Sequence, residues 1–355
     1  MQSAVARSKP LPVVARVSQD HSTGLYLISV RNYDPNPLVL DLAGPLLWWP
    51  CMGQEEKEQA IPCSSGTCRV ANRNHPPNCP YVDGGRPRSP EPSCNCTAYP
   101  YNPVNGKCGS GGLTWEWLSA NATDGRRPLY PVAAGLKVSN KFALCLPHVA
   151  IFGGGPVHIP GSDDDVETVT DHLSRTRLLR NPRNNAYYMD DAGIAGGVAL
   201  STVTPYTALR PDIYRAVLTA FDAATAGLPR VSQAPKPLER CFNLTMMNQM
   251  GMWTGSLPVA VDLMLADGKN STFTSLSAMH EVVPQTLCFA FVEMGAGTVA
   301  AYAVPDSPAV VVGCHHMENN LLEFDLKMGV LRGVRGREGG WERPDRQGPR
   351  REGGG

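Results

Sequence analysis
Leu38-Val39-Leu40-Asp41-Leu42-Ala43-Gly44-Pro45-Leu46-Leu47-Trp48-Trp49-Pro50-Cys51 reads as a strand, a tight turn and a second strand, with one carboxylate at the turn. Leu38, Leu40 and Leu42 alternate with Val39 and Asp41, the period-2 pattern of a strand buried on at least one face. The carboxylate that ends this run has two readings. It is a loop-facing Asp that caps the turn, or it is kept there for chemistry, since an unpaired buried carboxylate is costly.

A second stretch has the same design. Gly197-Val198-Ala199-Leu200-Ser201-Thr202-Val203-Thr204-Pro205-Tyr206 is an apolar run that ends in small hydroxylated residues at a turn. Two such units in the two halves of one chain point to a duplicated fold, with one turn from each half meeting at the centre.

Asp41 to Cys51 resembles the first active-site segment of plant pepsin-like aspartic proteases, D-T-G-S-x-L-x-W-x-x-C, with Asp41, Leu46, Trp48 and Cys51 matching. Leu42, Ala43 and Gly44 stand where Thr, Gly and Ser would be. In the second segment, Ser201-Thr202-Val203-Thr204 occupies the place of D-S-G-T, and Leu209-Arg210-Pro211-Asp212-Ile213-Tyr214 follows at the matching distance. The resemblance therefore implies a degenerate dyad, Asp41 facing Ser201. Aspartic proteolysis needs two carboxylates sharing one proton. A serine hydroxyl cannot hold that proton, and the turn glycines are also replaced, by Ala43 and Val203. The expectation is negligible peptidase activity.

Longer motifs narrow the resemblance. Leu38 to Trp48, Cys96-Thr97-Ala98-Tyr99-Pro100-Tyr101-Asn102-Pro103, Ile151 to Val157, Leu200 to Tyr214 and Cys288 to Met294 are similar to cereal xylanase inhibitors of the TAXI type, whose wider relatives include basic 7S globulins. The likeness runs with gaps from about Leu11 to about Leu331. It implies an all-β, bilobal pepsin-like fold. The expected layout is a disordered start (1–10), a first lobe (11–160) with a Cys-rich insert (51–108), a second lobe (161–331) and a disordered Gly/Arg-rich tail (332–355). The first lobe is shorter than the family's. A block before Ser139-Asn140-Lys141-Phe142-Ala143-Leu144-Cys145 is missing, with Val132 to Leu136 as its remnant, and such a lobe would expose sheet edges.

With 355 residues, 42% hydrophobic and 18% charged, the chain is long enough for a large core. Its 32 Lys and Arg balance 32 Asp and Glu, which argues against general nucleic-acid binding. No uninterrupted apolar run is long enough to cross a bilayer. Residues 1–10 are polar and basic, with no signal-peptide core before Leu11. The family is nevertheless secreted to the cell-wall space, so the expectation is an extracellular protein whose sequence has lost its start, or an aberrant transcript product.

Eleven cysteines favour an oxidising compartment. The disulfide candidates are Cys51, Cys63, Cys68, Cys79, Cys94, Cys96, Cys108, Cys145, Cys241 and Cys288, with Cys314 left as an odd thiol. Zinc is the competing reading, but there is no C-x-x-C pair, and Cys63-x4-Cys68 and Cys94-x-Cys96 are poor ligand spacings. Sequons at Asn95, Asn121, Asn243 and Asn270 are the glycosylation candidates.

Residues 161–196, with acidic Asp163-Asp164-Asp165 and basic Arg175 to Arg183, read as a solvated connection. Pro211 opens a helix with Ile213, Val217, Leu218, Phe221 and Ala224 as its apolar stripe, and Gly227-Leu228-Pro229 stops it. Val259 to Leu265, a turn at Asp267-Gly268, and Thr272 to Leu276 read as a hairpin. Ala309-Val310-Val311-Val312-Gly313 resembles the segment that threads beside an active-site turn, here beside Ser201. Cys314, His315, His316 and Glu318 follow it as a weak metal pattern, which the family carries in similar form without metal.

The sequence leaves three functions open. The first is a non-catalytic inhibitor of a microbial glycoside hydrolase of the xylanase class in plant defence, acting as a monomer without cofactor, metal, nucleic acid or membrane. The second is an aspartic endopeptidase, supported by Asp41 and the fold. The third is a non-functional truncated isoform. The family's C-terminal inhibitory histidine has no match here, so no inhibitory residue is assigned.

Overall fold
The computed structural model describes residues 13–29, 37–42, 60–72, 79, 94–102, 104–105, 107–114, 117–118, 121–122, 132–133, 141–153, 174–180, 187–189, 197–252, 257, 259–264, 270–295 and 308–335. Among these, strands far outnumber helices. Ala43 to Cys51, most of the quoted opening stretch, the 1–10 start and residues 336–355 lie outside them.

A 14-stranded sheet runs through both halves. Its order is Phe291–Glu293, Thr207–Leu209, Val310–Val312, Val198–Leu200, Tyr187–Met189, Ser174–Arg180, Val330–Arg335, Asn320–Asp325, Lys141–Cys145, Val149–Phe152, Val13–Gln19, Tyr26–Ile28 and Leu38–Val39, with Asn121–Ala122 pairing beside Val13–Gln19. The two halves of the chain thus meet where Asn320–Asp325 pairs antiparallel with Lys141–Cys145, Ala143 opposite Glu323. The alternation that reads as strand in the sequence is what buries one face. Ala15, Val17, Tyr26, Ile28, Leu38, Leu144, Val198, Phe291, Val310 and Phe324 belong to one core drawn from both halves.

At this central join, Glu323 is 4% exposed. It is held by Lys141 Nζ at 2.9 Å and Arg332 Nη1 at 2.7 Å, one cation from each neighbouring strand. A carboxylate this deep persists only because it is doubly paired. The ion triad and the apolar face fix the same register.

The helix Pro211–Ala224 packs against the sheet through Tyr214, Leu218 and Phe221. Pro211 stands in its first turn, and Thr225 Oγ1 closes its last turn on Phe221 O at 2.7 Å. Tyr214 takes a buried place that the expected stripe omitted, and Ala224, expected inward, is exposed.

Other expectations are corrected. The connection expected at 161–196 contains two strands of the main sheet, because Thr176 and Leu178 turn inward while Arg177 turns outward. Arg332 to Arg335, assigned to the tail, complete a strand paired with Asn320–Asp325. The second arm of the expected hairpin is Asn270–Phe273, and the chain then turns into a short helix, Ser275–Ala278. Cys145, expected in a disulfide, is a buried free thiol. Its cross-strand neighbours are Val149 and Leu321, so no cysteine stands opposite it.

Four disulfides form among the described residues, Cys63–Cys94, Cys68–Cys96, Cys79–Cys108 and Cys241–Cys288. The first three tie the Cys-rich insert, whose small sheets and bridges would bury little core without them. Cys314 is a second buried thiol, and Cys51 lies outside the described residues.

Candidate functional site
Val198–Leu200 delivers Ser201 to the end of a strand, as the apolar run requires. The strand Val310–Val312 runs parallel beside it, and the Ser201 N–H donates to Val312 O at 2.9 Å. Gly313 ends that threading strand for a steric reason. A Cβ there would lie 2.4 Å from the Tyr206 carbonyl carbon and oxygen and 2.8 Å from Thr204 O. Only a residue without a side chain lets the two backbones approach so closely.

Ser201 is fully buried. Its Oγ accepts the Thr204 N–H at 3.1 Å and shares a hydrogen with Thr204 Oγ1 at 2.9 Å. The hydroxyl is therefore engaged within its own turn. Asp41 is half-buried, at the end of Leu38–Val39.

Thr202 brings the two positions together. Its Oγ1 donates to Leu40 O at 2.6 Å and accepts the Leu42 N–H at 3.1 Å, the backbone groups on either side of Asp41. Leu42 has no hydroxyl with which to return the contact, and it packs against the apolar core. The join is one-sided. The sequence carries a signal for it, a hydroxyl after Ser201 and none after Asp41.

A second inter-half contact lies behind the turns. The Tyr26 hydroxyl donates to Glu318 Oε1. Burial pushes the Glu318 carboxyl up, against the Tyr26 hydrogen bond that favours its charged form. The same burial, with the Glu318 bond, raises the Tyr26 phenol. Cys314, buried nearby, is pushed up to about 12 by desolvation and then by the Glu318 charge, and Cys145 to about 11 by desolvation. Neither thiol is an activated nucleophile.

His315 and His316 do not form a metal centre with their neighbours. Among the described residues, no three His, Cys, Asp or Glu side chains converge as a metal site would require. Instead His316 Nδ1 meets Thr207 Oγ1 at 2.9 Å, and Thr207 Oγ1 also accepts the Gly313 N–H at 3.1 Å. The His316 ring sits 4.6 Å from both Phe273 and Phe291.

Of the sequons, Asn95 is exposed, beside the disulfide-bonded Cys96. Asn243 caps the short helix Leu244–Gln249, its side chain accepting the Met246 N–H at 3.0 Å. Asn121 and Asn270 lie in strands. No helix among the described residues is long and apolar enough to cross a membrane.

Comparison with known proteins agrees with this geometry. Residues 176–332 match the family model described as "Xylanase inhibitor C-terminal". The chain is 36% identical over 377 residues to "Chitinase CLP" from Oryza sativa subsp. japonica, covering 88% of this chain and 86% of the relative. That alignment is longer than the 355 residues of this whole chain, so the relative carries residues with no counterpart here. The crystal structure of edgp superposes with a TM-score of 0.68 at 21% identity, covering 93% of this chain and 96% of the other. Conglutin gamma, a basic 7S globulin from lupine seeds, gives 0.67 at 23%, covering 92% and 95%. Both superpositions carry the bilobal pepsin-like fold, with sheets dominating as they do here.

Proposed function
The chain belongs to the inactive, xylanase-inhibitor-like branch of the pepsin-like family, and from that premise we propose that it is a secreted, non-catalytic scaffold that binds and inhibits a microbial glycoside hydrolase of the xylanase class in plant defence. The observation that carries the reading is the Ser201 hydroxyl, buried and hydrogen-bonded to Thr204 where a second carboxylate would have to stand. A pair able to share one proton between two acids has become an acid and an alcohol. Water activation and carbonyl protonation then have no second partner, and the fold serves as a binding surface.

Glycoside hydrolases of the expected target class work with two carboxylates about 5 to 9.5 Å apart across a cleft. A rigid protein that covers such a cleft excludes substrate without chemistry of its own. Rigidity is supplied here by the four disulfides, the Thr202 bridge and the Glu323 triad. Disulfide-tied loops and the exposed Asn95 support an extracellular location with glycosylation at sequon positions.

The test is a titration of purified microbial xylanases, with a chitinase as comparison. The reading expects activity to fall in proportion to added protein, with formation of a complex in size-exclusion chromatography. Unchanged xylanase activity at a hundredfold excess, with no complex, contradicts it.

A further inference from the structure
Three imidazoles lie in one aromatic column behind the 201–207 turn. From the helix Pro211–Ala224 inward, Phe221 stacks on Phe289 at 4.1 Å and Phe289 on Phe291 at 4.7 Å. Phe291 meets His316 at 4.6 Å, His316 meets His315 at 5.3 Å, and His315 meets His280 at 4.5 Å. Tyr206 closes the column, 5.8 Å from His280.

The column is built for neutral rings. The Thr207 oxygen already accepts the Gly313 N–H, which leaves its own hydrogen to donate to His316 Nδ1. His316 Nε2, buried between phenyl rings, has no hydrogen-bond partner. His315 Nε2 is spent on Met279 O at 3.3 Å. A proton added to His316 Nδ1 removes the acceptor that Thr207 uses. With Nδ1 accepting from Thr207, neutral His316 already carries its hydrogen on Nε2, so a second proton enters only at Nδ1 and spreads its charge over a ring buried between phenyl groups.

The other titratable and charged groups around the column offer limited compensation. Glu318 faces His280, but Tyr26 already holds it. Glu281, beside His280, is exposed, and Glu293, two residues past Phe291, pairs with Arg215 at 3.4 Å. Cys314 and Tyr206 carry no charge near neutrality, since burial raises both. Desolvation lowers His280, His315 and His316, and the like charge of neighbouring rings lowers His280 and His316 further.

The short helix that bears His315 and His316 also holds the turn, while His280 packs on it from the strand Met279–Val283. The Cys314 N–H donates to Thr204 O at 2.9 Å and the His315 N–H to Pro205 O at 3.1 Å. We propose that His280, His315 and His316 form a proton-operated latch: protonation below neutral pH loosens the helix Cys314–Met317 from the 201–207 turn, and with it the Thr202 bridge between the two halves. The latch assumes nothing about the protein's target.

Amide hydrogen exchange resolved by NMR on the intact protein tests this at pH 7 and pH 5, corrected for intrinsic exchange. The Gly313, Cys314 and Leu42 amides should exchange at least tenfold faster at pH 5 relative to those of the Lys141–Cys145 and Asn320–Asp325 strands. No change in that ratio overturns the proposal, as does a uniform rise in both sets, which would be global destabilisation. His316→Asn keeps an acceptor near the Nδ1 position and cannot take a proton, so it should shrink the pH effect. Glu318→Gln should retain it. An undiminished effect in His316→Asn, or its loss in Glu318→Gln, would also overturn the latch. Should His316→Asn fail to fold, the wild-type ratio still decides.

Discussion
The Leu42 N–H donates to Thr202 Oγ1 at 3.1 Å, and each of these residues directly follows one of the two positions that the sequence marks for chemistry, Asp41 and Ser201. Because Thr202 Oγ1 also bonds Leu40 O at 2.6 Å, one hydroxyl holds the backbone on both sides of Asp41. Nothing in local sequence links these segments. The contact exists because the duplicated halves fold onto a shared sheet.

Thr202→Val keeps the shape and removes both bonds, leaving a part-buried N–H and C=O unpaired. The expected loss is about 2 to 3 kcal/mol, read as a lower urea midpoint with an unchanged slope. Thr202→Ser should restore most of it.

Gly313→Ala should be more damaging than its size suggests. The added carbon would meet the Tyr206 carbonyl at 2.4 Å, and the opposing atoms are backbone, so no side chain can swing away. A loss of about 3 kcal/mol or more is expected, with a large fall in thermal midpoint. Gly333→Ala, whose Cβ would lie 3.4 Å from a Leu322 methyl, should be far milder.

Glu323→Gln leaves Lys141 and Arg332 facing a neutral amide in the central sheet. Removing one member of a buried ion network costs about 3 to 5 kcal/mol. The unfolding midpoint in urea measures it, and circular dichroism checks that the sheet persists. Full wild-type stability would show that the triad contributes no net stabilisation.

The Cys241–Cys288 disulfide joins paired strands across a separation of 47 residues. Replacing both by alanine should cost about 4 kcal/mol by release of loop-closure entropy in the unfolded chain. Differential scanning calorimetry of the double variant checks this.

The sequence made much of the fold readable because the apolar runs at Leu38 to Leu42, Val198 to Leu200 and Ala309 to Val312 carry their period and their terminating turns locally. The helix was readable from Pro211 and its stripe for the same reason. Thr176 and Leu178 are not legible in the same way, because two inward residues amid arginines look like a solvated loop until a neighbouring strand covers them. Arg332 looks like the start of a tail because its partner, Glu323, lies across a turn and acts through space. At the site, position in sequence points to Ser201 and Asp41 as the residues at the two turns. It does not point to Thr202, Tyr26 with Glu318, or His316 with Thr207, since each contact joins segments distant in sequence.

The central claim is that an acid and an alcohol cannot share the work of two acids. Its most direct test is cleavage of a denatured protein substrate by the purified chain across pH 3 to 6, with and without pepstatin. The account predicts no pepstatin-sensitive cleavage, and none for Ser201→Asp, because both turn glycines are also replaced. Cleavage by the wild-type protein that pepstatin blocks and Asp41→Asn abolishes would contradict it.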